Sequence, residues 1–240
     1  MRSLVGRIGM MGLLPASEVE DQPPDRVGFR FVMLGPSGVG KSAQAALLAE
    51  RLGTRTILFD RSAGNEGSGA APDFPADESK AVPAGLPDWV NAEVDVRSGF
   101  CLLGFPRTLP EAKALDAFLR ENDAPLTAAL NFEPAPEWLV YRLSHRRVCV
   151  TCGMVYPWNC RPRIPEGGAC VCCGGELIRR KEDSSEAARR RLRAYAQGSA
   201  PLIEYYDQAG LLITVEGEGS PEKVFQRMEF KLLNALPDLA

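Results

Sequence analysis

The run Gly35-Pro36-Ser37-Gly38-Val39-Gly40-Lys41-Ser42 sets two glycines, a lysine and a hydroxyl in the spacing G-x-x-x-x-G-K-[ST]. Residues of these types in this order do anion chemistry. The glycines let successive backbone N–H groups curl around phosphate oxygens, and a helix opening at Lys41 adds the partial positive charge of its N-terminus. Lys41 reaches the outer phosphates and the Ser42 hydroxyl can ligate magnesium. Gly35 to Ala43 is therefore the candidate cradle for a nucleoside triphosphate, provided that a strand precedes it and a helix follows.

A second reactive set lies farther along. Cys149 and Cys152 form one Cys-x-x-Cys pair, Cys170 and Cys173 another, with seventeen residues between the pairs. Four thiolates at this spacing close a tetrahedron around zinc and leave no open position, so the metal is expected to be structural. Iron in the same cage is the alternative the spacing leaves open. Gly153 and Gly174 follow the pairs, where a tight turn must bring two sulfurs to one ion. Cys172 could replace a neighbour as ligand, and Cys160 is surplus. An insert running from Cys149 to Arg180 is too small to own a core, which is the usual reason for a metal staple.

Phosphoryl transfer asks a protein for positive charge aimed at the moving group and for alignment of donor and acceptor oxygens. Arginine supplies both. Candidates are Arg107, in the turn Gly104-Phe105-Pro106-Arg107-Thr108, then Arg142, Arg146 and Arg147 on either side of His145, Arg180, and Arg189 and Arg191. Taken singly, arginines of this kind are more often a solvated helix face than a clamp.

These residues need elements to hold them. Five short apolar runs read as buried strands, at 29–34, 54–59, 99–103, 127–132 and 211–216. Helical patterns lie between several of them: Lys41 to Leu52, stopped by Gly53; Pro110 to Asn122; and Pro136 to Arg147, opened by a proline. The alternation argues for a parallel sheet with helices on both faces. Gly64 to Pro87 is dense in glycine, proline, alanine and serine without a helical period and reads as a long loop.

The bulk properties narrow the choices. A chain of 240 residues with 45% hydrophobic content can bury one α/β core with an insertion. A net charge of −3, from 28 basic and 31 acidic residues, provides no global field for nucleic acid or an anionic membrane, so neither is an expected partner. No run approaches the roughly 18 apolar residues that a membrane helix needs. Six of the seven cysteines fall between Cys149 and Cys173, the clustering of a metal site, and a reducing, cytoplasmic setting is expected. Residues 1–27 carry two early arginines, but Arg7 interrupts the apolar run of a secretory signal; they are expected to be a disordered extension.

In order along the chain, "GPSGVGKSAQ", "GFPRTLPEA", "RRVCVTCGMVYP" with "CVCCGGEL", "RKEDSSEAARRRLRAY" and "APLIEYYDQAGLLITVEG" resemble the adenylate kinases in their long-lid, zinc-bearing form. The resemblance spans Phe31 to about Leu233. It implies an α/β fold, a P-loop doubly wound five-stranded parallel sheet with an inserted zinc-binding lid, and reversible phosphoryl transfer from MgATP to a nucleoside monophosphate, AMP first among them. The core would be 28–146 with 181–240, the lid 147–180, and 60–90 a shortened, loop-like monophosphate flap, in a chain expected to act as a monomer. By the same resemblance Lys41 is the phosphate-loop lysine, Arg107 holds the acceptor phosphate, Arg146, Arg180 and Arg191 close on the transferring group, and Arg142 lies against the ATP adenine. Arg61, Gly104 and Glu111 would complete the monophosphate side.

This chain departs from the family pattern at the same end of the site. Leu103 stands where the family has an aspartate that organises magnesium through its waters, leaving Ser42 and the phosphates as its expected holders. Glu111 replaces a glutamine, and a carboxylate accepts hydrogen bonds but cannot donate them. Only Asp60 and Arg61 represent the stretch after the second strand. A catalytically impaired ATP-binding homologue, acting by sensing nucleotide or binding a partner, is the alternative expectation.

Overall fold

In a computed structural model of the chain, residues 28–59, 96, 99–156 and 168–236 are described. Five strands form one parallel sheet: β1 (Arg30–Leu34), β2 (Arg55–Leu58), β3 (Phe100–Leu103), β4 (Ala128–Glu133) and, last in the chain, β8 (Leu212–Glu216). Their spatial order is β2-β3-β1-β4-β8, with Met33 of β1 beside both Leu103 of β3 and Leu130 of β4.

Side chains alternate across the sheet, and the helices fall on both faces to cover them. Phe31, Met33, Cys101, Leu103, Ala128 and Leu130 share one buried cluster with Ala45 and Leu48 of α1 (Lys41–Leu52) and with Val224, Met228 and Leu232 of α5 (Pro221–Ala235). Val32, Leu34, Phe100, Leu102 and Ala129 share the opposite one with Leu115 and Leu119 of α2 (Leu109–Glu121) and Leu202 and Tyr206 of α4 (Ser185–Gln208). The sheet is doubly wound, as the alternation of runs predicts.

Two of the five strands are not fully buried, contrary to the sequence expectation. In β2 only Ile57 is buried, and in β8 only Val215. Among the described residues these are the sheet edges, where no further strand pairs on one flank. A short apolar run does not distinguish an edge from a centre.

The helix α3 (Pro136–His145) ends two residues before the expected Arg147, because Arg146 turns extended, with φ −65° and ψ 143°, to lead into a separate small sheet. That antiparallel sheet is β5 (Arg147–Cys149) flanked by β6 (Val155–Tyr156) and β7 (Leu177–Ile178). Cys149, Tyr156 and Cys170 are buried together there with Met154 and Leu177 against them, apart from the clusters of the main sheet. The expected extension at 1–27 and most of the loop at 60–90 lie outside the described residues.

Between α2 and α4, Asp116 is buried and accepts a hydrogen bond from the Tyr205 hydroxyl at 2.9 Å. Its second oxygen, Oδ1, has no hydrogen-bond partner among the described residues. Burial pushes its carboxyl above the usual value, against the smaller lowering effects of Tyr205 and Arg120. A raised folded value means that this group favours the fold most when protonated and loses that contribution as pH rises through the carboxylate range. Asp116→Asn keeps an acceptor for Tyr205 and removes the buried charge. Thermal melts at pH 7 are expected to show a gain of about 2–4 °C, roughly 1 kcal/mol, which shrinks toward pH 4; an unchanged midpoint at pH 7 would mean that the carboxylate costs the fold nothing.

Candidate functional site

The cradle begins where β1 ends. Gly35 and Gly38 hold φ values of 136° and 86°, in the left-handed half of the map that L side chains rarely adopt. Space forbids a side chain as firmly as conformation does. A Cβ on Gly35 would lie 2.9 Å from the Phe132 carbonyl oxygen, and one on Gly38 2.5 Å from Leu143 Cδ2. The loop can therefore pass close to both β4 and α3.

Lys41 closes the loop from within, its Nζ donating to the carbonyls of Gly35 at 2.6 Å and Pro36 at 3.0 Å. Burial, and then the nearby Arg107 guanidinium, lower the lysine to about 8. The exposed hydroxyl of Ser42 stands in the first turn of α1, where the backbone N–H groups have no helical acceptor. Pro36, Ser37, Val39, Gly40 and Ala43 complete the segment named from the motif.

Arg142 and Trp138, one turn apart on α3, form the flank of this cradle. The guanidinium lies 5.3 Å from the Trp138 ring centroid, and its Nη2 is 3.7 Å from where a Cβ on Gly40 would sit. Burial and then Arg146 lower the Arg142 value. A flat cation beside the loop offers a stacking surface for an aromatic base.

Across from the cradle, the turn after β3 fixes Arg107 at two points. Its Nε donates to the Gly104 carbonyl at 2.8 Å, while its backbone N–H donates to Glu111 Oε2 at 2.7 Å. Thr108 caps α2 by accepting from the Glu111 N–H at 3.4 Å. Glu111, only 2% exposed, thus tethers the turn that carries Arg107. The resemblance implies a place for Glu111 on the monophosphate side; in the structure one of its oxygens accepts from the Arg107 backbone N–H. Arg61 and Asp60 lie outside the described residues.

Leu103, the last residue of β3, is 3% exposed and belongs to the apolar cluster that also holds Val39 and Ala45. It brings no oxygen to the cradle. Of the residues assigned to magnesium from sequence, Ser42 alone presents one, so the fit is limited to that hydroxyl.

Two of the three arginines that the resemblance expects to close on the transferring group are brought together by a residue that no motif singles out. Asp183, with no exposed surface, accepts from Arg146 Nε at 2.8 Å and Nη2 at 2.6 Å, a bidentate fork, and from Arg191 Nη2 at 3.5 Å. Arg191 also donates to the Glu182 carbonyl at 2.7 Å. Arg180 does not join them: its half-exposed side chain lies 3.9 Å from Glu182. Asp183 follows Arg180 by three residues in "RRKED", but its partners are 37 and 8 residues away, so no local pattern marks it.

The four cysteines converge. Their Sγ atoms all lie within 4.8 Å of one another, with Cys149–Cys173 at 3.5 Å and Cys152–Cys170 at 3.6 Å. Zinc–sulfur bonds of about 2.3 Å in a tetrahedron put sulfurs about 3.8 Å apart, so the cage fits zinc. The two pairs repeat one backbone turn: Gly153 N–H bonds the Cys149 carbonyl and Gly174 N–H the Cys170 carbonyl, and both glycines sit at φ 71°. Cys172 is exposed and stands outside the set; Cys160 is not among the described residues.

Comparison with known proteins adds an independent measure. The family model for adenylate kinase matches residues 33–211. An adenylate kinase of Thermodesulfovibrio yellowstonii is 37% identical over 205 residues, covering 82% of this chain and 95% of that protein. One from Caldanaerobacter subterraneus subsp. tengcongensis is 34% identical over 213 residues, covering 85% and 96%. One from Archaeoglobus fulgidus is 36% identical over 209 residues, covering 83% and 95%.

Proposed function

Because the chain belongs to the adenylate kinase family, we propose that it moves a phosphoryl group reversibly between MgATP and a nucleoside monophosphate, with AMP the acceptor. The observation that carries this reading is the approach of two half-buried cations from opposite elements: Lys41 of the cradle and Arg107 of the β3 turn are near enough that the second lowers the first. A donor phosphate on the first and an acceptor phosphate on the second would face each other.

In this reading the backbone of Gly35 to Ala43 wraps the ATP phosphates, Lys41 leaves the loop carbonyls for the outer phosphates, and Arg142 stacks on the adenine. Arg107, Gly104, Arg61 and Glu111 make the monophosphate side. Arg146 and Arg191 stay paired to Asp183 until the more highly charged phosphoryl group competes for them, and Arg180 approaches with the small sheet. Magnesium, held by Ser42 and the phosphates, would neutralise charge on the donor. Excluding water needs the small sheet, 147–180, to act as a lid stapled by zinc on Cys149, Cys152, Cys170 and Cys173. We place the enzyme in the cytoplasm as a monomer; among the described residues no helix is long and apolar enough to cross a membrane.

Leu103 favours a second reading, an ATP-binding relative with little transfer, since it deprives magnesium of a partner. A coupled assay with MgATP and each of AMP, CMP, UMP, GMP and dTMP decides between them. Transfer to AMP above the other four is expected. Transfer to none, by folded protein with about one zinc per chain, would overturn the kinase reading.

A further inference from the structure

The two halves of the cysteine cage are not equivalent in how they are tied to the rest of the small sheet. In the first, Cys149 lies in β5, Val150 N–H pairs with the Glu176 carbonyl at 3.0 Å, and Thr151 N–H points to Cys149 Sγ at 3.4 Å. In the second, the residue matching Val150 is Val171, and its N–H has a side-chain acceptor instead: the hydroxyl of Tyr156, at 2.8 Å. That same hydroxyl donates to Cys170 Sγ at 3.1 Å.

We propose that Tyr156 is a positioning residue for the metal site, holding the second cysteine pair in register with the first and stabilising the charge on the Cys170 sulfur. The inference rests on the reading of the cage as a zinc site.

The physical argument has two parts. Tyr156 is 4% exposed, its ring fixed in the cluster with Met154 and Leu177, and its backbone pairs with Arg147 across β6 and β5. The hydroxyl is therefore anchored to the strand that carries Cys149, and its two hydrogen bonds span the gap to the other pair. That gap is otherwise bridged by the β5–β7 pairing and by the bond from the Val150 N–H to the Glu176 carbonyl. The second part is charge. Four thiolates around one dication leave a net charge of −2, and an O–H donor within a buried cluster takes up part of it on one sulfur. An aspartate or lysine could not serve here, the first for lack of a proton at neutral pH and the second for lack of an acceptor for Val171. Tyrosine does both with one atom.

The test compares zinc-loaded wild type with Tyr156→Phe, which keeps the ring and removes the hydroxyl. Loss of zinc to excess EDTA is expected to be at least 10-fold faster in the variant, the usual consequence of losing a partner behind a metal ligand. In the cobalt(II)-substituted proteins, the thiolate-to-metal charge-transfer band is expected at lower energy in the variant, because a sulfur without its donor holds its electrons less tightly. Packing alone would not move that band. Melting temperatures of metal-stripped and zinc-loaded samples complete the set: a larger drop in the loaded form supports the proposal, and an equal drop in both overturns it. Wild-type rates and an unmoved band in the Phe variant would likewise overturn it while leaving the zinc reading intact. Absence of metal from wild type prepared with zinc would overturn both.

Discussion

Lys41→Ala is expected to lower phosphoryl transfer by a factor on the order of 1,000 or more and to weaken ATP binding, while Arg107→Ala spares ATP and damages only the monophosphate side. The separation follows from position. Lys41 Nζ lies inside the cradle on the carbonyls of Gly35 and Pro36, whereas Arg107 is fastened to Gly104 and Glu111 on the turn after β3. Nucleotide titrations of the two variants check it, and an equal loss of ATP affinity in both would undo the division into donor and acceptor halves. A pH signature accompanies the result. The lysine titrates at about 8 in the unliganded protein, against an ordinary value of 10.5. A triphosphate restores its charge, so binding near pH 8 is expected to take up a proton, measurable by calorimetry in two buffers, and affinity should fall as pH climbs through 8. For the unliganded fold the sign is opposite: between about 8 and 10.5 the unfolded chain binds more protons, so stability rises with pH. Both effects should vanish in Lys41→Ala.

Leu103→Asp is expected to reduce the magnesium needed for half-maximal transfer and to raise turnover about 10-fold or more. A carboxylate at the end of β3 accepts hydrogen bonds from the waters that magnesium keeps, and a hydrocarbon cannot. The opposing effect is visible in the fold. Leu103 is 3% exposed within the cluster of Phe31, Met33, Val39 and Leu48. A bare carboxylate there costs several kcal/mol unless Lys41 or hydrated metal answers it. The variant should therefore melt lower than wild type when unliganded and recover with MgATP. An unchanged magnesium dependence in folded Leu103→Asp would mean that the strand end does not face the phosphates.

What could be read from the sequence was local. The glycines and lysine of the cradle, the two Cys-x-x-Cys pairs and the five apolar runs each declare themselves within a few residues. Asp183 could not, since its role exists only when α3 brings Arg146 across 37 residues of sequence to meet it. Arg146 itself leaves the helix because the next residue pairs with Tyr156, a contact no helical pattern reports. Glu111 is a different case. Thr108-x-x-Glu111 is a legible helix-start pattern, whereas the resemblance implies only a place for Glu111 on the monophosphate side. The long α4 was likewise hidden: its run Arg189-Arg190-Arg191 reads as a charge cluster, and Pro201 falls inside the helix, where proline is usually a stop.

The small sheet enters and leaves the main fold through strands that lie side by side, since Val148 of β5 pairs with Ile178 of β7. A segment whose two ends are neighbours can be shortened, exchanged or transplanted without rethreading anything else, because a tight turn spans the same gap that the segment spans. Its own apolar cluster and its cysteine cage travel with it. The protein is thus built as a host and a graft, and the graft's length and its metal-binding residues can change while the five-stranded sheet beneath remains the same.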